Sequence, residues 1–447
     1  MTQAHAERLR EASLLLRAAE SEVRILRTIA WDPGIRERFL ASGAQSLPQP
    51  EYPRVDLTRT YAAVAAARRL VDPGGPGARW LMRAADSIET GARMLDAIGT
   101  REFHAHSSTL YGGPRSVLVD GRVTPLDLAQ DLDTNLSELE VFDLGLAPAA
   151  TTTAEEVALR LRAEAQAVFG AEAPLVEVVD GLASKAIAGP RRVRVRRGAT
   201  FSDLDLAQLI EHELRIHVAT ALAGRAQAQL PLLAVGHPGI TRTQEGLAVL
   251  AEVVTRATDP ARMRRLAARV IGIDMAENGA DFRDLYRFHL ERGAREEDAF
   301  EDARRVVRGG LVSGGAPFTK DVVYLDGLLR VQNFLRVAVQ LRRLDLIRLL
   351  FVGKVAIADV PDLAELRAEG FLAPARYLPT WAEDLRPLVA TMAFSGFLNR
   401  VHLATVRAHY ERILTGTPSG DGEGSLDQAP MPADAPADRP ASDIPRA

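Results

Sequence analysis

The chain has 447 residues, of which 47% are hydrophobic, 26% charged and only 5% aromatic, with a net charge of −4. That length suits two or three domains or one large one, the apolar fraction excludes a largely disordered protein, and the slightly acidic balance argues against a nucleic-acid partner. Cysteine is absent, which excludes disulfides, thiol nucleophiles and thiolate metal sites and leaves the redox compartment open.

Residues 6–40 are predicted as one helix, with Leu9, Leu14, Leu15, Leu16, Val23, Leu26 and Ile29 at helical spacing. The proline-containing stretch at 46–54 interrupts it, and residues 57–100 again carry a helical pattern, broken by DPGGPG at 72–77. Around 103–123 the pattern changes. SVLVDGRVT predicts a short hairpin with Asp120-Gly121 at its turn, and Thr124-Pro125 a helix N-cap followed by proline at the first helical position. A helix is expected at about 153–169, and short strands within 174–198, where PLVEVVDG and RRVRVRRGA run apolar or alternate. Ser202 and Asp205 then form a capping-box-like start and Gly224 a plausible stop, which predicts one strong helix over about 203–223. A further helix is expected over 243–257, and 260–308 and 320–413 are read as mostly helical. From 415 onward six prolines, six acidic and two basic residues predict a disordered acidic tail. The longest uncharged apolar runs, such as 230–236, are far too short to span a bilayer. The first twenty residues are charged throughout and have no apolar signal core. A cytoplasmic location without a membrane partner is therefore expected.

The chemistry concentrates in His212-Glu213-Leu214-Arg215-Ile216-His217, followed by Gln244-Glu245-Gly246-Leu247-Ala248. Two imidazoles and a carboxylate make a catalytic zinc set that keeps one position open, and Glu213 beside the first ligand is placed to act as general base. In zincins the two histidines are four residues apart and share a helix face. Here they are five apart, which in a regular α-helix points them about 140° away from each other with a rise of about 7.5 Å. A regular helix cannot bring both to one ion, so a π-type bulge at 213–216 is required. The bland alternative is two polar histidines on an exposed helix face, although composition alone would produce HExxxH only on the order of 0.01 times. Gly246 is expected to let the Glu245 helix approach the metal helix closely. Glu252, seven residues after Glu245, is more simply a solvated helix charge than a supporting group. His104 and His106 would share a face if they lay on a strand, but a surface loop is the better expectation. Gly309-Gly310 and Gly314-Gly315 lack the phosphate-loop pattern and no serine sits in a GxSxG elbow, so neither a P-loop nor a serine hydrolase is indicated.

These residues resemble the bacterial QEGLA-motif family, described as modulating flavohaemoglobin expression and related to the eukaryotic microtubule-associated tyrosine carboxypeptidases. HELRIH and TQEGLAVLAE carry the resemblance, together with LYGGP at 110–114, RGATFSDLDLAQLIEHE before the motif, and RGG…GGAPFTKDVVYLDGLL at 308–329. The resemblance implies a zinc peptidase in which His212, His217 and Glu245 hold the ion and Glu213 is the base. The eukaryotic relatives remove a C-terminal Tyr or Phe. This chain departs from the family pattern in having Arg215-Ile216 where relatives carry a Gly-Thr-like pair, and Ala223-Gly224 where they often carry Asn-Gly, which bears on the pocket rather than on the ligands.

A carboxypeptidase also needs a cation for the substrate's terminal carboxylate. Lys320 and Arg242 are candidates, Tyr324 shares a helical face with Lys320 and is placed to bond substrate or oxyanion, and His237 precedes a proline in the loop before Glu245. Asp321 is expected to cap or pair locally. The combined expectation is an α+β, mainly helical protein: a helical N-terminal region over 1–100, a zincin-like catalytic domain with a small β-sheet over 101–414, and the tail over 415–447. It would be a Zn2+-dependent carboxypeptidase acting on a peptide or protein C-terminus, aromatic residues favoured. The alternatives are a non-catalytic regulatory protein with a structural metal site, whose fourth position a residue such as His237 would close, and a metal-dependent small-molecule amidase. Oligomeric state is open.

Overall fold

The computed structural model describes residues 2–139, 149–180, 182, 185–189, 191–398 and 400–414. The acidic tail expected from 415 lies outside the described residues. Helices dominate, with two small sheets, so the protein is α+β and mainly helical. No helix among the described residues is long and apolar enough to cross a membrane.

The N-terminal stretch is three helices rather than one: Gln3–Glu22, Ile25–Thr28 and Gly34–Ala41. Proline disfavours helical backbone in the residue before it, and Pro33 follows Asp32 immediately ahead of the third helix. The DPGGPG break does separate helices Thr58–Leu70 and Ala78–Asp96. Helix Arg101–Tyr111 then occupies the ground where a surface loop was expected around His104 and His106. The hairpin does not form strands. Gly121 takes the positive φ of the turn and Leu118 N–H donates to the Val123 carbonyl. Val119 is 95% exposed, so the segment has no face to bury against a sheet. Thr124 and Asp127 cap helix Pro125–Leu139 reciprocally, with proline at its first position as the sequence indicates.

Three strands lie within 174–198, as expected, and two further two-residue strands form at 152–153 and 200–201, outside the alternating segments. Strands β1 (Thr152–Thr153) and β5 (Thr200–Phe201) pair antiparallel. Strands β2 (Leu175–Val179), β3 (Ala186–Ala188) and β4 (Arg192–Arg196) form a sheet in the order β2-β4-β3. Along β4 the valines point inward and Arg192 and Arg194 outward. Helix Ala154–Phe169 closes this sheet's core, together with Leu214, Val218 and Leu222 from the helix that carries HELRIH. The opposite side of that helix sends Ile216 into a second, larger core. The metal-motif helix is thus fixed between two cores.

The larger core draws on residues from Leu9 to Met392, within one compact unit, Met1–Ala393. A second unit, Phe394–Ala447, contains helix Leu403–Leu414 among its described residues. At the centre of the first unit, helix Thr241–Val254 packs on helix Val323–Gln340. Gly246 makes that approach possible, against Gly327 and not against the metal helix as the sequence suggested. A Cβ on Gly246 would stand 2.3 Å from the Gly327 carbonyl carbon. Backbone on both sides cannot yield cheaply. Gly246→Ala is therefore expected to cost about 3 kcal/mol, at the upper end of overpacking, read as a lowered denaturation midpoint at unchanged slope. Gly224 serves the same purpose. It lies inside the helix, which runs on through Arg225, and a Cβ there would meet the Leu233 carbonyl oxygen at 2.0 Å.

Candidate active site

The helix begins as the sequence predicts, with a reciprocal cap between Ser202 and Asp205. It then changes character. Residues Ile210–Val218 form a π-helical turn, flanked by regular helix on both sides. The wider turn brings residues five apart onto one side. The His212 and His217 rings lie 4.8 Å apart and nearly perpendicular. The distortion predicted from the spacing of the two histidines is present over the residues that need it.

Such a turn frees backbone carbonyls, and these find buried partners. The Thr220 hydroxyl lies 2.6 Å from the Ile216 carbonyl and 2.9 Å from Gln244 Oε1. Lys354 Nζ donates to the His217 carbonyl and to Gln244 Oε1, both at 3.0 Å. Burial lowers the Lys354 pKa to about 8, offset only in part by the Glu245 and Glu213 carboxylates. Lys354 was not anticipated. The signal was available, because an arginine-rich chain with three lysines spends two of them, Lys320 and Lys354, here.

Glu245 enters from the neighbouring helix. Its Oε2 lies 3.5 Å from His212 Nε2 and 3.6 Å from His217 Nε2. Ligand atoms of His212, His217 and Glu245 all fall within 4.8 Å of one another, and they form the one such metal-competent group among the described residues. Glu245 Oε2 is buried without a hydrogen-bond partner, which is costly in a protein interior. A cation facing that oxygen and the two Nε2 atoms removes the cost, so the donor set fits a divalent ion that accepts nitrogen and oxygen ligands.

Glu252 is not a solvated charge. It is fully buried and accepts from His212 Nδ1 at 2.6 Å, from Gln208 Nε2 at 3.1 Å, and from Arg262 through two bonds of 2.9 and 3.0 Å. The proton on Nδ1 leaves the Nε2 lone pair of His212 directed at the site. Burial raises the Glu252 pKa, but Arg262 and His212 outweigh it and hold it at about 2. Burial also disfavours charge on His212, yet Glu245 and Glu252, with Glu213 close by, push its pKa up to about 10. His217 is lowered by burial, against the pull of Glu245. Glu245 stays well below the usual carboxylate range because Lys320 and the two imidazoles outweigh its burial. This surplus of carboxylate around two imidazoles is the charge pattern a divalent cation completes. Glu213, half-buried beside His212, stays outside the ligand group.

The remaining candidates divide. Lys320 Nζ lies 3.5 Å from Glu245 Oε1 and 5.2 Å from the Tyr324 ring centre, so both belong to the site's wall. Arg242 is committed elsewhere, to Asp326 at 2.6 Å, an aspartate that Arg330 also holds. His237 is buried with Nδ1 2.8 Å from the Ser87 hydroxyl and is not in the ligand group. His104 and His106 lie on a helix rather than in the surface loop expected, about 200° apart around its axis, and His104 Nδ1 bonds the Pro317 carbonyl. Asp321 pairs with Arg305, 16 residues earlier on helix Glu296–Val307, at 2.6 and 3.0 Å, rather than capping or pairing locally. Arg215, inside the motif, turns away to Glu164 and Glu211, and Ile216 fills the core, so neither residue of that pair enters the ligand group.

His237 carries its own prediction. Burial lowers its pKa to about 4, so the fold holds it neutral while the unfolded chain protonates near 6.5. Its contribution to stability is complete above about pH 6.5 and is lost as pH falls towards about 4. Between about pH 7 and pH 5 the protein should lose roughly 2 kcal/mol through this group. Urea titrations of wild type and His237→Asn at both pH values check this, the variant showing the shallower loss.

A search of curated proteins finds no match to the chain. The family model for microtubule-associated tyrosine carboxypeptidases matches residues 37–400, a span that holds the π-helical turn, Glu245, Glu252 and Lys320. The protein therefore belongs to the microtubule-associated tyrosine carboxypeptidase family.

Proposed function

We propose that the protein is a zinc-dependent, zincin-like metallopeptidase that removes the last residue from a peptide or protein chain. The observation that carries this reading is the meeting of His212, His217 and Glu245 across a π-helical turn, with Glu252 orienting the first histidine. His212 and His217 would hold Zn2+ through Nε2, and Glu245 through Oε2. The ion supplies Lewis acidity toward a water and a peptide carbonyl when bound.

Glu213 takes a proton from the attacking water as the water oxygen bonds to the carbonyl carbon. It returns that proton to the departing amine nitrogen as the C–N bond breaks. Lys320 holds the Glu245 carboxylate in place through Oε1, leaving Oε2 for the ion. Tyr324, whose ring lies beside Lys320 on the same wall, would donate its hydroxyl to the charge that develops on the carbonyl oxygen. Three protein ligands without a fourth among the described residues favour a catalytic over a closed structural site. Family membership favours a chain end as substrate.

Incubation of the zinc-loaded protein with a mixed peptide library, read by mass spectrometry, tests the reading. Loss of a single C-terminal residue, abolished by chelation and restored by Zn2+, is expected. Internal cuts, or no cleavage with the metal site filled, would overturn it.

A further inference from the structure

Beside the ligand group lies a concentration of positive charge, Arg269, Arg305, Arg308 and Lys320, faced by the carboxylates of Asp321 and Asp302 and by Glu245 at its edge. Arg305 takes Asp321 in a bidentate pair. Arg269 reaches the same carboxylate only at 3.9 Å, on the oxygen that Arg305 already holds at 2.6 Å. Arg269 makes no hydrogen bond among the described residues, its Nε is buried and orphaned, and its side chain retains 15% exposure. Its guanidinium carbon lies 5.3 Å from the Tyr324 ring centre, and Lys320 Nζ lies 5.2 Å from the same ring. Arg308 repeats the pattern. Its Nε is buried without a partner, and burial, with Arg305 nearby, lowers its pKa to about 10. A guanidinium removed from water without a carboxylate of its own is expensive. Two of them within electrostatic reach of one tyrosine call for an anion.

The position narrows the anion. Arg262 and Arg269 lie on the same helix, Pro260–Glu277, seven residues apart and so on one face about 10 Å from each other. Arg262 holds Glu252 behind His212, which puts Arg269 two turns farther along the wall. Lys320 spans the gap, touching Glu245 at one side and the Tyr324 ring at the other. Arg242, the other sequence candidate, is excluded by its pairing with Asp326.

We propose that Arg269, with Lys320 and Tyr324 and backed by Arg308, forms the subsite for the free α-carboxylate of the substrate's last residue. The proposal rests on the peptidase reading above and adds the residues that would make it an exopeptidase. Guanidinium suits this task because it binds a carboxylate through two parallel N–H donors.

The test is binding, so that it does not depend on turnover. Calorimetry on the zinc-loaded Glu213→Gln protein compares N-acetyl-phenylalanine with its C-terminal amide. The acid is expected to bind at least tenfold more tightly. Adding Arg269→Gln should remove that difference by weakening the acid alone, while Arg269→Lys retains part of it. Melting curves separate a lost subsite from a lost fold, and if the glutamine variant does not fold, the acid–amide difference in the parent and its reduction in Arg269→Lys decide. Equal binding of acid and amide, no binding of either, or an undiminished difference in the variants overturns the subsite. Its failure differs from that of the peptidase reading. Free and amide-capped peptides cleaved equally would sink the subsite alone, whereas acid-selective binding without any cleavage would sink the peptidase alone.

Discussion

Glu213→Gln keeps its zinc and loses its turnover. Glu213 lies next to His212 in sequence but outside the three-residue ligand group, so the amide leaves every donor atom in place. What disappears is the group that can accept the water's proton and later release it. General-base and general-acid roles held by one side chain are each worth about 10²–10⁴-fold. A fall in kcat of about a thousandfold or more is therefore expected, with metal content unchanged at one ion per chain. Parallel loss of metal and activity would instead make Glu213 a ligand. Retained activity would remove it from the mechanism.

Glu252→Gln should separate the support of the site from the site itself. The carboxylate fixes the His212 tautomer and neutralises Arg262 in a fully buried setting. Groups that orient a metal-binding histidine contribute about 10–100-fold to metal affinity. Removing one partner of a buried ion pair costs a further ~3–5 kcal/mol in stability, because the other charge remains unpaired. The expected variant is weaker in zinc by one to two orders of magnitude and melts well below wild type even when metal is saturating. A double variant with Arg262→Met should recover part of the stability without recovering metal affinity. Zinc affinity equal to wild type would show that Glu252 does not orient His212.

The two glutamates illustrate what a sequence exposes. The candidate metal motif was legible because its spacing is incompatible with a regular helix holding one ion, so HELRIH predicted both a site and a local distortion, and the π-helical turn lies there. Capping at Ser202, the proline start at Pro125 and the alternation of Arg192–Arg196 were legible because they are local. Glu252 was not. Whether a helical glutamate faces water or a buried arginine is decided by how three helices pack, and its partners lie 40 residues before and 10 after it. Gly224 and Gly246 were misplaced for a related reason. Both serve close backbone contact, with Leu233 and Gly327, and neither a helix stop nor contact with the metal helix. Arg269 was hidden by composition, since one weakly paired guanidinium cannot be recognised in an arginine-rich sequence. Lys354 stood out only by being a lysine.

Zinc K-edge X-ray absorption of the purified full-length protein addresses the central claim most directly. One ion per chain, with two imidazole nitrogens and carboxylate oxygen in a first shell at about 2.0–2.2 Å, is the predicted result, and Glu245→Ala should remove the carboxylate contribution while His212→Ala and His217→Ala each remove one imidazole. A protein that takes up no zinc, or whose bound zinc keeps the same shell in all three variants, would contradict it.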